Sequence, residues 1–139
     1  MVVDEDGFRT LPRSRCLELL GTARVGRLGL SVAALPVILP VNYAMAGERV
    51  VFRSVPGTKL DSALASAVVA FEVDAHGQEG AWGWSVLVQG VAHEIIVPAE
   101  LEVARRLPLR AWAYPDAAER WVMVQSTFVS GRCFGRLPD

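Results

Sequence analysis

Lysine is nearly missing from this 139-residue sequence: of 14 cationic side chains all but Lys59 are arginine. Cysteine and histidine are almost as scarce. Cys16 and Cys133 are too few for a disulfide framework, and with His76 and His93 they form no cluster at metal-ligand spacing. Two histidines also leave little material for a His-based triad or acid–base pair. Neither sign of charge is in surplus, with 14 basic and 15 acidic residues and a net charge of −1. Binding to a nucleic-acid backbone draws on a basic surplus, so nucleic acid is not an expected partner. No apolar run reaches the roughly 18 residues of a membrane-spanning helix. The opening MVVDED carries acids where a secretory signal carries bases, which makes the cytoplasm the expected compartment.

What is present is strongly apolar. Hydrophobic residues make up 52% of the chain and the mean hydropathy is +0.31, which excludes a disordered or solvating segment. The length predicts one domain over 1–139, with its core at about 10–134. Cys16, Leu19 and Leu20 at i, i+3 and i+4 predict a short amphipathic helix over 13–20, with Pro12 at its start and Gly21 at its end. From Val25 the apolar period becomes two. It predicts a strand at 25–32, a turn at 33–36, and a hairpin of strands 37–45 and 49–54 across Ala46–Gly47. Within the first hairpin strand, Val37, Leu39, Val41 and Tyr43 share one face, and Ile38, Pro40, Asn42 and Ala44 the other. Pro40 predicts an edge or an opening in the sheet there.

A helix at 58–66 and a buried strand at 68–73 follow. A Gly-rich loop at 75–81 leads into a long strand at 82–97 with a bulge at Gly90. Next come a helix at 98–106, a loop at 107–116 containing Pro and Trp, and strands at 121–126 and 128–134. Six or seven antiparallel strands with two or three short helices predict a small, mainly β barrel.

Most of the chemical content lies in Phe52-Arg53-Ser54-Val55-Pro56-Gly57-Thr58-Lys59. A strand ends, a Pro-Gly turn follows and a helix begins, so two cations, two hydroxyls and free backbone N–H groups gather where a phosphate would be favoured. An ordinary capped helix with a solvated lysine has the same pattern. Neither a GxxxxGK[ST] loop nor a GxGxxG turn is present. Trp84 beside Ser85 can cover a planar ligand and touch its polar rim, or can simply be core. Four tryptophans exceed what one small barrel buries, so some of Trp82, Trp84, Trp112 and Trp121 are expected to cover a ligand or a partner subunit. His76, His93, Glu72 and Asp74 read as surface residues. With no acid–base pair evident, any reactivity is expected to come from a cofactor.

The order of these motifs resembles the pyridoxamine 5′-phosphate oxidase-like family of FMN-binding split β-barrels, and within it the flavin/deazaflavin oxidoreductase branch. The resemblance spans about 10–134. It is carried by the Cys16-to-Leu20 helix, Gly26-Arg27-Leu28, Pro40-Val41-Asn42-Tyr43, Val51-Phe52-Arg53-Ser54 with Gly57-Thr58-Lys59, and Gly83-Trp84-Ser85-Val86. It implies a homodimer with two flavin sites at the interface. Pro40, Val41 and Asn42 would lie along the isoalloxazine ring. Arg53, Ser54, Thr58 and Lys59 would hold the phosphate, while Trp84 and Ser85 would approach from the partner. It further implies hydride or electron transfer between bound FMN and a small molecule. The deazaflavin F420 and haem are alternative occupants of the groove, and a carrier or sensing module without turnover is the alternative function. A basic C-terminal substrate motif is not evident, which points away from vitamin B6 oxidation.

Overall fold

The computed structural model describes residues 3–109 and 120–138. Strict alternation of apolar and polar residues makes most of it sheet. The strands are β1 (Arg9–Thr10), β2 (Val25–Val32), β3 (Leu35–Asn42), β4 (Ala44–Ala46), β5 (Arg49–Ser54), β6 (Val68–His76), β7 (Trp82–Glu94), β8 (Arg120–Val124) and β9 (Phe128–Gly135). Among the described residues seven of these have five residues or more, as expected of the barrel. Helices α1 (Arg13–Leu20), α2 (Lys59–Leu64) and α3 (Pro98–Arg105) complete the fold.

All pairings are antiparallel. The strands run in the order β3-β2-β6-β7-β8-β5-β4, with β9 also on β7 and β1 on β9. The sheet curls into a half-barrel because β7 serves two sheets in turn. Its Trp82–Gln89 stretch pairs with β9, and Ala92–Glu94 pairs with β8. Gly90 sits at the change-over. The carbonyl oxygen of Gln125 passes 1.8 Å from where a Cβ would be, so no side chain fits there. The register of β6 runs unbroken past Gly90, so the predicted bulge is instead this close crossing. The inward residues of both sheets, including Leu28, Phe52, Phe71, Val86 and Val124, are fully buried, and Cys16, Leu19 and Leu20 of α1 close one end. Burying these apolar groups is the main driving force for the fold.

Two local expectations are corrected. The stretch 37–45 is not one arm of a hairpin with 49–54. Leu35–Asn42 pairs in full with β2, and only Ala44–Ala46 pairs with β5. Tyr43 makes the switch. Its N–H bonds the Arg24 carbonyl at 3.0 Å and its buried hydroxyl donates to the Leu20 carbonyl at 2.5 Å, tying the bend to α1. The turn before β3 is shorter than 33–36. Val32 pairs with Leu35, leaving Ala33 and Ala34 as a two-residue loop with φ of 49° and 66°. The β4–β5 loop is Gly47–Glu48, with Gly47 at φ 61°.

The face alternation in β3 holds. Leu39 and Val41 pack against the core and Val37 is half-buried, while Ile38 and Pro40 are exposed. Pro40 lies on an edge strand, since among the described residues β3 pairs with β2 alone.

Candidate functional site

The strand-to-helix turn after β5 is built around Asp61. The Thr58 hydroxyl caps α2 by accepting the Asp61 N–H at 3.1 Å, and it donates to the Val55 carbonyl at 3.0 Å. The Asp61 carboxylate, whose side chain is only 8% exposed, accepts from Ser54 Oγ at 3.2 Å and Gly57 N–H at 3.1 Å. It also lies 2.9 Å from Arg120 Nε, and the same guanidinium reaches Glu94 at 2.9 Å. Ser54 is therefore buried with its proton committed, whereas Thr58 and Lys59 are exposed. Lys59 has no carboxylate partner among the described residues.

Arg53 and Ser54 are neighbours on β5, so their side chains leave opposite faces of the sheet. Ser54 faces Arg120, while Arg53 stands over the Trp121 ring at 5.4 Å from its centroid. Trp121 packs with Val51, Ile95 and Ala104 in a second small core beneath α3. Its indole Nε1 is buried with no hydrogen-bond acceptor among the described residues. An unanswered buried donor is costly in a finished fold, and a ligand oxygen would satisfy it. Trp112 lies outside the described residues.

Asn42, at the end of β3, opens on a groove of about 700 Å³ lined also by Arg24, Tyr43, Leu107, Pro108 and Leu109. That volume is in the range of small-ligand sites. Pro40 and Val41 continue from Asn42 along the sheet edge, where part of the backbone is left unpaired by any strand.

Trp84 and Ser85 stand elsewhere. Trp84 is buried, and both residues line a separate pocket of about 210 Å³ with Phe8, Asp74, His76, Arg132 and Phe134. They begin β7, whereas the strand carrying Arg120 and Trp121 joins β7 at its other end, beyond about 30 Å of extended chain. The nine expected site residues thus fall into a β3 edge, a β5–α2 turn and a β7 start. Within one chain the third does not share a cavity with the groove beside the first.

The sequence reading missed Arg24, Asp61 and Trp121 Nε1 as site features. It also placed Glu72 and Asp74 in solvent. Asp74 is exposed, but Glu72 is half-buried, and both share Arg27, at 3.0 Å and 3.4 Å respectively. Burial, then the neighbouring Asp74, pushes the Glu72 carboxyl up to about 7 against the opposing pull of Arg27. This ion cluster lies on the outer sheet face beside a mostly apolar row. Ile38, Gly29, Ala70, Gln89 and Phe128 form one row across five strands. Ile38 is 76% exposed and Phe128 70%, and nearby Val68 is 75% exposed. Exposed apolar patches of this kind mark interaction surfaces.

A curled antiparallel half-barrel with an open edge strand beside a groove of nucleotide-scale volume is the split-barrel class of protein. The sequence profile of the pyridoxamine 5′-phosphate oxidase family matches residues 12–133, and the chain belongs to that family. It is 34% identical to the uncharacterized protein Rv0080 of Mycobacterium tuberculosis over 126 residues, 87% of this chain and 82% of the relative. Among solved structures, the FAD binding protein of Mycobacterium smegmatis superposes with a TM-score of 0.79 at 36% identity, covering 91% of this chain and 99% of that one. A FAD-binding protein of Mesorhizobium loti follows with a TM-score of 0.75 at 27% identity, covering 91% and 96%. The FAD and haem binding protein of M. smegmatis shares the fold at 20% identity, with a TM-score of 0.73 over 94% of this chain and 75% of that one.

Proposed function

We propose that this protein is a homodimeric flavin-binding oxidoreductase. The observation that carries the reading is its 36% identity, over 91% of its length, to a protein described as FAD binding. The groove beside Asn42 fits such a ligand, as do Lys59 and the Trp121 N–H, which have no partner among the described residues. In this reading Lys59 holds the phosphate adjoining the riboflavin unit, which FMN and FAD have in common. The hydroxyl of Ser54 is held by Asp61 and that of Thr58 donates to the Val55 carbonyl, so both act by shaping the turn rather than as free donors. Arg53 acts from the opposite face of β5, together with Trp121. Pro40, Val41 and Asn42 offer an open strand edge to the ring.

The apolar face around Ile38, Val68 and Phe128 is the surface that a second copy would cover. Trp84 and Ser85 would then reach the flavin from the partner. Flavin supplies hydride and single-electron chemistry when bound, and the protein contributes position, exclusion of water and electrostatics. No proton-transfer residue is assigned.

The test is titration of purified protein with FMN and with FAD, followed by fluorescence, alongside sedimentation for mass. Saturable binding near one per subunit in a dimer is the expected result. Lys59→Ala should weaken it by about tenfold or more, the value of a charge-assisted phosphate bond. Absence of binding by either flavin would refute the assignment. Binding without reoxidation after reduction by any donor would leave a carrier in place of an oxidoreductase.

A further inference from the structure

The groove beside Asn42 contains a cation that phosphate binding at Lys59 leaves without a role. Arg24 is exposed on its wall, immediately before β2. Seven described arginines, Arg27, Arg49 and Arg120 among them, lie within 4.0 Å of a carboxylate. Among the described residues Arg24 has no such partner, and none of those that line the groove is an acid. Leu107-Pro108-Leu109 on the same lining are apolar and come from the segment after α3. A guanidinium and an apolar stretch on the lining of one groove give a positive potential beside an apolar surface, which suits a flat aromatic group able to carry negative charge.

Tyr43 fixes this arrangement. Its backbone N–H holds the Arg24 carbonyl while its side chain is anchored to α1, so the base of Arg24 is tied to the same bend that presents Asn42.

We propose that Arg24 is the charge partner of the bound flavin ring, standing against the ring's pyrimidine edge and binding the reduced ring more tightly than the oxidised one. The inference rests on the flavin reading above. Two-electron reduction adds two electrons and one proton, the proton going to N5, and leaves one negative charge spread over N1 and the C2 carbonyl. The oxidised ring is neutral, so a cation there discriminates between the two states. Arg24 is a positioning charge, and no bond to it forms or breaks.

The experiment is a reductive titration of the flavin-loaded protein with dithionite against a reference dye, for wild type, Arg24→Gln and Arg24→Lys. Binding of oxidised flavin is measured in parallel. In Arg24→Gln, oxidised flavin should bind within about twofold of wild type. Its preference for reduced flavin should fall by about tenfold, the scale of one charge-assisted bond. For a two-electron couple that lowers the midpoint potential by about 30 mV. Arg24→Lys keeps the charge and should recover most of the shift. An unchanged potential in Arg24→Gln overturns the proposal, as does an equal loss of affinity for both states. A wild-type protein that binds flavin in neither state refutes the flavin reading itself, a separate and recognisable failure.

Discussion

Replacing Asp61 should test whether the turn that presents Lys59 is organised from within. In Asp61→Ala three contacts disappear together: the Ser54 hydroxyl at 3.2 Å, the Gly57 N–H at 3.1 Å and the Arg120 guanidinium at 2.9 Å. Hydrogen bonds to a charged group are worth about 1.5–3 kcal/mol each, and breaking a buried ion pair costs about 3–5 kcal/mol. The full sum does not apply. Gly57 is exposed and can bond water, and Arg120 keeps Glu94 with its own side chain 36% exposed. Only the buried Ser54 hydroxyl loses a hydrogen-bond partner, and the Arg120 guanidinium one of its two ion-pair partners, without easy replacement.

The net loss is therefore about 2–4 kcal/mol. For a domain of this size that corresponds to a fall in melting temperature of about 10 °C. Asp61→Asn preserves shape and one acceptor oxygen and should cost about half as much. Thermal denaturation followed by circular dichroism at pH 7 measures both. A melting temperature for Asp61→Ala within about 3 °C of wild type would show that the carboxylate is not the organiser of the turn. Flavin affinity should fall in the same order, since Lys59 then hangs on a looser loop.

Ala33 and Ala34 both sit in the left-handed region, which costs an L-residue about 1–2 kcal/mol and which Asn-Gly occupies readily. The double substitution Ala33→Asn/Ala34→Gly should raise the melting temperature by several degrees, and no gain would exclude this turn geometry. Glu72 makes stability depend on pH. Its folded-state value, about 7, lies above the ordinary 4.5, so between those values the unfolded chain releases a proton that the native state retains. Wild-type stability should therefore decline from about pH 4.5 to 7 through this group, and Glu72→Gln should flatten that slope in melting curves taken across the range.

The strands were legible wherever one face meets the core, because burial imposes a period of two that the sequence displays directly. The same periodicity hid the identity of the partners. Apolar alternation runs through Val41 and Tyr43 without a break, although the chain leaves β2 and joins β5 at that residue. Nothing local marks the change, since the hydrogen bonds that bend the chain run to Arg24 and Leu20. Asp61 was legible in principle. Thr58-Lys59-Leu60-Asp61 is a hydroxyl followed three residues later by an acid at a helix start, a pattern that predicts capping. Its ties to Ser54 and Arg120 required the pairing of β5 with β8. Arg24 carried no signal at all, because its groove is completed by the segment after α3.

The candidate site shows why a motif list gathers residues that one chain keeps apart. Trp84 and Ser85 pair with Cys133 and Arg132 at the start of β7, whereas the strand bearing Arg120 and Trp121 joins β7 only from Ala92 onward. A continuous strand cannot fold back to bring its own ends together, and Gly90 allows it to change partners without shortening it. Two copies related by a two-fold axis can place the start of one β7 against the groove of the other. The outer face around Ile38 and Phe128 carries exposed apolar side chains that such a contact would cover, and Arg27, Glu72 and Asp74 lie on the same face. Covering that face would remove water from a carboxyl that already holds its proton to about pH 7. Dimer formation should then draw a further proton toward Glu72, and the sedimentation constant for self-association should weaken as pH rises past neutrality. An association constant that does not change between pH 6 and 8 would separate this face from the subunit contact.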